Sequence, residues 1–385
     1  MKRGLIVLFM FLLVIGLGVT GTIAQDDDGD ALPSFDALTP GEWNQIFPGD
    51  DTICLYDTEY SFFVRPAETP TDNLMIFFEG GGACWDAFTC GAVGQFAARY
   101  DVPNDLMNTY QDGMFDFENE ANPVGGFNTV FVPYCTGDVF MGNTAVDYTD
   151  ALTGYHNGFA NASAVLEWTY ENLPSPEEVL VTGCSAGGYG ATFHASYVMN
   201  AYPDSEVVHV ADAANGVTQP AWEAFATWDV IPSMPEFIPD LAALTLDTFN
   251  NTVYTIGMVN AFPDNQFAQV NTFYDEVQVG FWGLSVGRIP TDEESGLALA
   301  NDWSIELQAN LGMIEDEITD DNFATFTAGG TTHCYTPREQ FYTVEVEDIT
   351  LAEWYAQLLY DNVGEDVSCD VEAGECILPS PGDDA

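Results

Sequence analysis

Short runs of consecutive apolar residues recur along the chain, separated by amphipathic stretches. Such runs, bounded by Gly, Pro and Asn, are typical of strands that are buried on both faces of a sheet. The pattern predicts six strands, at 73–79, 129–133, 179–182, 207–211, 253–259 and 323–327.

Helical periodicity fills the intervals between these runs. Apolar spacing predicts helices over 161–171, directly after 185, within 265–316 and over 350–359. The last interval begins with Thr350 followed three residues later by Glu353, the spacing of a capping box. Because strands alternate with helices, the chain is predicted to form an α/β fold with a mostly parallel sheet flanked by helices.

The segment 219–250 interrupts this alternation. It is rich in aromatic residues and proline, and it follows the predicted strand at 207–211. We expect it to be an inserted cap over the carboxyl edge of the sheet, where loops commonly form one wall of a pocket.

The first 24 residues have the pattern of a signal peptide. Lys2 and Arg3 precede an unbroken apolar run over 5–19, and small residues follow at 22–24. An uncleaved membrane anchor is the alternative, although the run is shorter than the ~20 residues of a typical spanning helix. We therefore expect an exported protein, secreted, periplasmic or at the cell surface, with no stable membrane partner after cleavage.

Acidic residues dominate the charge of the chain. Asp and Glu number 61 against six Lys and Arg, which gives a formal net charge of −55 at pH 7. Such a surface repels nucleic acid and anionic membranes, so neither is an expected partner. Salt screens the self-repulsion, which favours a saline habitat, with cation binding as the alternative.

The chain has eight cysteines, and export would permit disulfides. Their spacing does not match the paired C-x-x-C pattern of zinc sites, so no metal is predicted. Two pairs are close enough in sequence to close short loops, Cys84 with Cys90 and Cys369 with Cys376. The other pairings stay open, and Cys184 and Cys334 are expected to be structural, either as buried thiols or in disulfides.

The most informative motif is the pentapeptide Gly-Cys-Ser-Ala-Gly at 183–187, between a predicted strand and a predicted helix. A G-x-S-x-G sequence in that context is typical of the nucleophile elbow of α/β-hydrolases, in which a sharp turn exposes a serine hydroxyl. A phosphate-binding loop is the alternative, but no Lys follows the turn. Ser185 is therefore the predicted nucleophile, and the amide of Ala186 is one predicted donor to the oxyanion.

A serine nucleophile needs a base and an acid that orients the base. In α/β-hydrolases the acid follows the serine along the chain, and the histidine base follows the acid. Of four histidines, His333 follows the last predicted strand on a Gly-rich loop and is the predicted base. His156, ahead of a helix, is a candidate pocket residue. His194 and His209 lie on a predicted helix and strand and are expected to be structural.

The predicted acid is Asp264, because it follows the predicted strand at 253–259. Asp212, directly after the strand at 207–211, is its rival and a candidate pocket residue. The run Gly80, Gly81 and Gly82 follows the first strong strand and is predicted to complete the oxyanion hole, because glycine lets a backbone amide approach a charged oxygen closely.

Four segments resemble, in order, those of the pectin acetylesterase and Notum family. They are Phe-Glu-Gly-Gly-Gly-Ala-Cys-Trp at 78–85, Val-Pro-Tyr-Cys-Thr-Gly-Asp at 132–138, Gly-Cys-Ser-Ala-Gly-Gly at 183–188 and Ala-Asp-Ala-Ala-Asn-Gly at 211–216. The resemblance extends over about residues 40–360. The acid segment of that family has Tyr-Asp followed by Trp-Gln, and Phe-Pro-Asp-Asn-Gln at 262–266 is taken as its counterpart.

The resemblance implies an α/β-hydrolase-like serine carboxylesterase that needs no metal or other cofactor. By similarity, the nucleophile is Ser185, the base His333 and the acid Asp264, with the oxyanion loop at Gly80 to Gly82. Trp85, in the first segment, is a candidate pocket residue. The implied organisation is a leader at 1–24, an acidic arm at 25–42, a catalytic domain at 43–364 and a C-terminal tail at 365–385.

The expected function is hydrolysis of O-acyl esters, in particular acetyl esters on a polysaccharide. Two alternatives stay open. Aromatic residues in the inserted segment, namely Trp222, Phe225, Trp228 and Phe237, favour a deacylase of longer chains. An inactive relative that binds glycans or lipids is the other alternative.

Overall fold

The computed structural model describes residues 31–49, 51–91, 99–217, 222–361, 364–371 and 373–376. The predicted leader at 1–24 lies outside these residues. Within them, no helix combines the length and apolar character that crossing a membrane requires.

A nine-stranded sheet forms the centre of the molecule. In spatial order its strands are β1 (Asn44–Ile46), β2 (Phe62–Arg65), β4 (Asn128–Val132), β3 (Leu74–Phe78), β7 (Glu178–Cys184), β8 (Glu206–Asp212), β9 (Gln266–Thr272), β10 (Phe323–Ala328) and β13 (Val367–Ser368). All neighbours from β4 to β13 pair in parallel, whereas β1 and β2 are antiparallel. Two hairpins lie outside it, β5 (Thr144–Thr149) with β6 (Leu152–His156) and β11 (Glu345–Val346) with β12 (Ile349–Thr350).

The helices of the described residues are α1 (Gly158–Asn172), α2 (Ala186–Ala201), α3 (Glu223–Thr227), α4 (Pro239–Ala242), α5 (Asn251–Ala261), α6 (Glu276–Ser285), α7 (Glu293–Glu317) and α8 (Leu351–Tyr360). They cover both faces of the sheet. Successive side chains of β3 point to opposite faces, so Ile76 packs in the core with α1 and α2 whereas Phe77 packs in the core with α8. This arrangement confirms the predicted α/β-hydrolase-like class.

Five of the six predicted strands are confirmed, as β3, β4, β7, β8 and β10. Each contains a mostly apolar run that the sheet buries on both faces, as the sequence pattern indicates. The helices α1, α2 and α8 are confirmed as well. The capping box of α8 forms as predicted, since Thr350 Oγ1 accepts from the Glu353 amide at 3.3 Å and Glu353 Oε2 accepts from the Thr350 amide at 3.0 Å.

The predicted strand at 253–259 is wrong, because these residues lie in α5. Their β-branched side chains favour a strand, but the Asn250 side chain caps the segment by accepting from the Val253 amide at 2.8 Å. The true strand is β9, whose buried side chains include the polar Gln269 and Asn271. A polar sequence of this kind carries no apolar run that would mark it as buried.

Both ends of the described chain pack against the fold. Trp168 Nε1 of α1 donates to the Pro33 carbonyl at 2.9 Å, which fixes part of the acidic arm. At the other end, β13 pairs with β10 inside the stretch that the sequence analysis assigned to a C-terminal tail. The sheet therefore extends beyond residue 364.

All eight cysteines form disulfides. The two short loops predicted from spacing are confirmed, Cys84–Cys90 and Cys369–Cys376. The two long-range bonds are Cys54–Cys135 and Cys184–Cys334. Sequence spacing could not identify these, because their partners meet only through the order of the strands.

Candidate active site

Ser185 occupies a sharp turn between β7 and α2. Its φ and ψ are 59° and −125°, a conformation that non-glycine residues rarely adopt. The turn needs glycine on either side, since a Cβ at Gly187 would lie 2.0 Å from the Phe78 carbonyl oxygen and one at Gly183 would lie 2.4 Å from the Gly187 oxygen. This is the strand, turn and helix that the sequence predicts.

The Gly-rich loop after β3 lies directly against this turn. A Cβ on Gly80 would be 2.6 Å from the Cys184 carbonyl oxygen and 3.3 Å from Ser185 Cβ, so only glycine fits there. Ala186 begins α2, where amides of the first turn have no acceptor within the helix. Gly82 and Ala186 border the same cavity as Ser185. Backbone donors from two segments therefore flank the serine.

A buried carboxylate supports the Gly-rich loop. Glu79, directly before Gly80, forms an ion pair with Arg99 at 2.8 Å and accepts from the Tyr134 amide at 2.9 Å and from the Tyr110 hydroxyl at 2.9 Å. Burial raises the pKa of Glu79, and the Arg99 charge and these hydrogen bonds oppose that rise. These contacts of Glu79 therefore hold the end of β3, from which the Gly-rich loop leaves.

His333 is oriented by Asp275. The two carboxylate oxygens of Asp275 lie 2.9 Å and 2.8 Å from His333 Nδ1, and the Asp275 side chain is fully buried. Asp275 also caps α6, because its Oδ1 accepts from the amides of Val277 and Gln278 at 3.0 Å and 2.9 Å. The carboxylate is therefore fixed by the helix as well as by the imidazole.

The other ring nitrogen of His333 is available for chemistry. His333 Nε2 is buried and has no hydrogen-bond partner among the described residues, and the His333 side chain borders the same cavity as Ser185. Hydrogen bonds between a nucleophile and its base are often long before substrate binds, so the absence of a Ser185–His333 bond is compatible with a base in this place.

The assignment of Asp264 as the orienting acid is corrected by this geometry. Asp264 lies in the exposed turn between α5 and β9, at the amino end of that strand, whereas Asp275 follows its carboxyl end and contacts His333. The prediction placed the acid after the strand that precedes β10 in the chain. That strand is β9, whereas the segment chosen from the sequence is helical. A signal was present, since Tyr274, Asp275 and Gln278 retain the Tyr-Asp and Gln of the family's acid segment.

The three candidate pocket residues are corrected too, because none of them borders the cavity of Ser185. His156 is buried between Tyr148 and the Thr136 carbonyl, and desolvation lowers its pKa to about 4. Trp85 packs against Trp222, with ring centroids 4.8 Å apart. The Asp212 carboxylate binds the backbone of another loop instead.

The cavity has an empty volume of about 760 Å³, including solvent at its mouth. Many of the side chains that border the cavity together with Ser185 are apolar and large: Val217, Trp222, Phe225, Phe249, Val277, Phe281, Trp282 and Trp303. Part of this wall comes from the inserted segment, as expected. Trp228 and Phe237 from the same segment do not border it. The sequence did not predict that side chains of α6 and α7 border the cavity, because local sequence does not specify which helices pack together.

The disulfide Cys184–Cys334 joins the two halves of the site. It links the residue before Ser185 to the residue after His333, and the two Cα atoms are 5.7 Å apart. Cys184 and Cys334 lie close to Asp212, and Cys84 and Cys90 lie close to His156, at distances that would suit a metal. In each group the two sulfur atoms are bonded to each other, so neither group offers the thiolate ligands that such sites use.

Comparison with known proteins agrees with this architecture. The pectinacetylesterase family profile matches residues 48–221. The chain is 26% identical over 181 residues to palmitoleoyl-protein carboxylesterase notum2 of Xenopus laevis, a match that covers 45% of this chain and 35% of that protein. It is 23% identical over 242 residues to pectin acetylesterase 4 of Arabidopsis thaliana, covering 59% and 56% of the two chains. The matches thus span from about a third to just over half of these relatives.

The fold is similar to that of a solved structure of the Wnt deacylase Notum from Drosophila. The TM-score is 0.60, with 15% sequence identity, over 83% of this chain and 93% of that one. The TM-score supports a shared fold.

Proposed function

Because this chain belongs to the pectin acetylesterase and Notum family, we propose that it is an exported serine esterase that hydrolyses O-acyl esters. The observation that carries the proposal is the contact of His333 Nδ1 with buried Asp275, on the same cavity that Ser185 enters from a strained turn. The order Ser185, Asp275 and His333 along the chain is that of α/β-hydrolases.

In the acylation step, Ser185 Oγ attacks the ester carbonyl carbon while His333 Nε2 takes its proton. Asp275 holds the ring with Nδ1 protonated and stabilises the imidazolium. The tetrahedral intermediate collapses when the carbon–oxygen bond to the alcohol breaks, and the proton on Nε2 passes to the departing oxygen. The products of this step are the free alcohol and an acyl-Ser185.

Deacylation repeats the sequence with water. His333 removes a proton from water as the water oxygen attacks the acyl carbon, and the proton then returns to Ser185 Oγ as the acid is released. In both steps the amide of Ala186 and amides of the loop Gly80–Gly82 would donate to the oxyanion. One such donor typically contributes about 3 kcal/mol in the transition state.

The first candidate substrate is an acetyl ester on a polysaccharide, in line with the similarity to a plant pectin acetylesterase. The second candidate is a longer acyl ester, which the apolar wall of Trp222, Phe225 and Phe249 favours. A panel of p-nitrophenyl esters from acetate to octanoate separates them. Activity that rises with chain length supports the second, activity that falls supports the first, and a purified protein inactive on every ester would refute the proposal.

Truncating the cavity wall should change chain-length preference if long acyl groups bind there. We expect Trp222→Ala to raise KM for the octanoate ester about tenfold, corresponding to a loss of roughly 1.5 kcal/mol of apolar contact, and to leave acetate within about twofold. The control is Phe237→Ala, which removes an aromatic ring of the same segment that is 41% exposed and does not border the cavity. An equal change in KM for the octanoate and acetate esters would show that the long acyl chain does not bind against Trp222.

Charge should make activity on anionic polysaccharides depend on salt. Among the described residues that border the cavity, His333 is the only basic one, and the net charge of the chain is −55. We expect kcat/KM on acetylated pectin to rise several-fold between about 10 mM and 0.5 M NaCl as the repulsion is screened. Uncharged p-nitrophenyl acetate is the control substrate. A pectin rate that is independent of salt in a folded protein would contradict this.

A further inference from the structure

We propose that Asp212 is a positioning residue that sets His333 against Ser185, by binding the nucleophile turn through its main chain and the histidine loop through its side chain. The inference rests on the proposed function, in which the reaction depends on that alignment. Asp212 does not border the cavity. It would therefore act through the two residues that it places and not on the substrate.

The main chain of Asp212 holds the nucleophile turn. Asp212 is the last residue of β8 and lies opposite Cys184 in the parallel register. Its carbonyl oxygen accepts a hydrogen bond of 2.9 Å from the amide of Ser185. The strained φ of Ser185 is thus supported from the neighbouring strand at the residue itself.

The side chain of Asp212 holds the histidine loop. Asp212 Oδ2 accepts three hydrogen bonds of 2.8 Å, from the amides of Tyr335 and Thr336 and from Thr336 Oγ1. These donors follow His333 by two and three residues. Cys334, which lies between His333 and these donors, has a left-handed φ of 67°. The carboxylate therefore fixes the chain immediately after this residue.

The Asp212 carboxylate is buried in the interior of the protein. Asp212 is 1% exposed, and its Oδ1 has no hydrogen-bond partner among the described residues. Burial raises the pKa of Asp212, and the hydrogen bonds from Thr336 and Tyr335 and the charge of His333 oppose that rise. Burial of a carboxylate is costly, and here its hydrogen bonds all come from one loop, which indicates that the acid is retained to hold that loop.

Asp212 acts together with other contacts of the histidine loop. The Thr336 carbonyl accepts from the Met114 amide at 2.9 Å, and Thr272 Oγ1 donates to the Tyr335 hydroxyl at 3.0 Å. The disulfide brings the Cα atoms of Cys184 and Cys334 to 5.7 Å, and Asp275 fixes the rotation of the imidazole ring. The amides of Tyr335 and Thr336, directly after Cys334, donate to Asp212 and not to either of these two groups. Since misplacement of a reacting group by about 1 Å can lower a rate about 100-fold, loss of the Asp212 bonds should be visible in kcat.

The test compares Asp212→Ala and Asp212→Asn with the wild type, using p-nitrophenyl acetate. We expect Asp212→Ala to lower kcat about 100-fold with KM within about threefold, because alignment and not binding is lost. Asp212→Asn should stay within about tenfold of the wild type, since the amide oxygen can accept the same hydrogen bonds. Thr336→Val, which removes only the hydroxyl donor, should lower kcat by about threefold to tenfold at unchanged KM.

The matched control is Asp366→Ala. Asp366, which is exposed, likewise accepts at Oδ1 from the backbone and hydroxyl of one threonine, Thr325, at 2.7 Å and 2.9 Å, but in the first half of β10, away from the loop that carries His333. We expect wild-type kcat for it. Circular dichroism and the melting temperature establish which variants fold.

Three results would overturn the inference: wild-type kcat in folded Asp212→Ala, a loss carried entirely by KM, or equal losses in the Asn and Ala variants. If Asp212→Ala does not fold, wild-type kcat in Thr336→Val overturns it instead. A wild-type protein that hydrolyses no ester would remove the proposed function as well, whereas an active wild type with an unaffected Asp212→Ala removes only this inference.

Discussion

Replacement of Ser185 by alanine should lower kcat for p-nitrophenyl acetate by about 10,000-fold or more, because removal of the nucleophile from such a triad typically has an effect of that order. The variant should fold, since alanine occupies less space than serine and the turn keeps its flanking glycines. Its measured rate would be the residual acceleration from binding and backbone donors.

Covalent labelling provides a second measurement of the same prediction. A fluorophosphonate probe should modify the wild type once, on the peptide that contains Ser185, and should not modify Ser185→Ala. Ser163→Ala is the control, because Ser163 lies on α1 and does not border the cavity. Wild-type turnover by Ser185→Ala would exclude the serine mechanism.

Replacement of Asp275 by asparagine should lower kcat by about 1,000-fold to 10,000-fold, whereas Asp264→Asn should stay within about twofold of the wild type. Asparagine can still cap α6, but it cannot stabilise the imidazolium and it favours the wrong tautomer of His333. Asp264 is exposed and lies at the other end of β9. The pair of variants therefore compares the acid inferred from sequence with the acid seen against His333.

The measurement is kcat on p-nitrophenyl acetate, together with the melting temperature of each variant. Similar melting temperatures for Asp275→Asn and the wild type would show that the loss is catalytic and not a loss of fold. A large loss in Asp264→Asn with full activity in Asp275→Asn would reverse the assignment.

Features that depend on neighbouring residues were predictable from the sequence. The elbow around Ser185 needs a buried strand, two glycines without room for a Cβ and a following helix, and all of these stand within 14 residues at 178–191. Mostly apolar runs identified β3, β4, β7, β8 and β10, because a strand buried on both faces needs few polar positions. The short disulfide loops and the capping box of α8 are local for the same reason.

Features that depend on which segments meet in space were decided only by the tertiary structure. The strand β9 is polar in sequence and buried in the sheet, so α5 was taken for it. The predicted partner of His333, Asp264, therefore stands 11 residues before Asp275, which contacts His333 in the structure. The disulfide between Cys184 and Cys334 joins residues 150 positions apart. No local pattern specifies such a pairing.

The placement of Asp212 and of the apolar wall has the same origin. Asp212 reaches the loop after His333 only because β8 lies next to β7 in the sheet, and α6 and α7 reach the cavity only through packing. The sequence alone identified the turn around Ser185 and the class of fold, since both are encoded in short segments. Which acidic residues contact Ser185 and His333 depends on strand order and register. These arise when distant segments bury their apolar faces together.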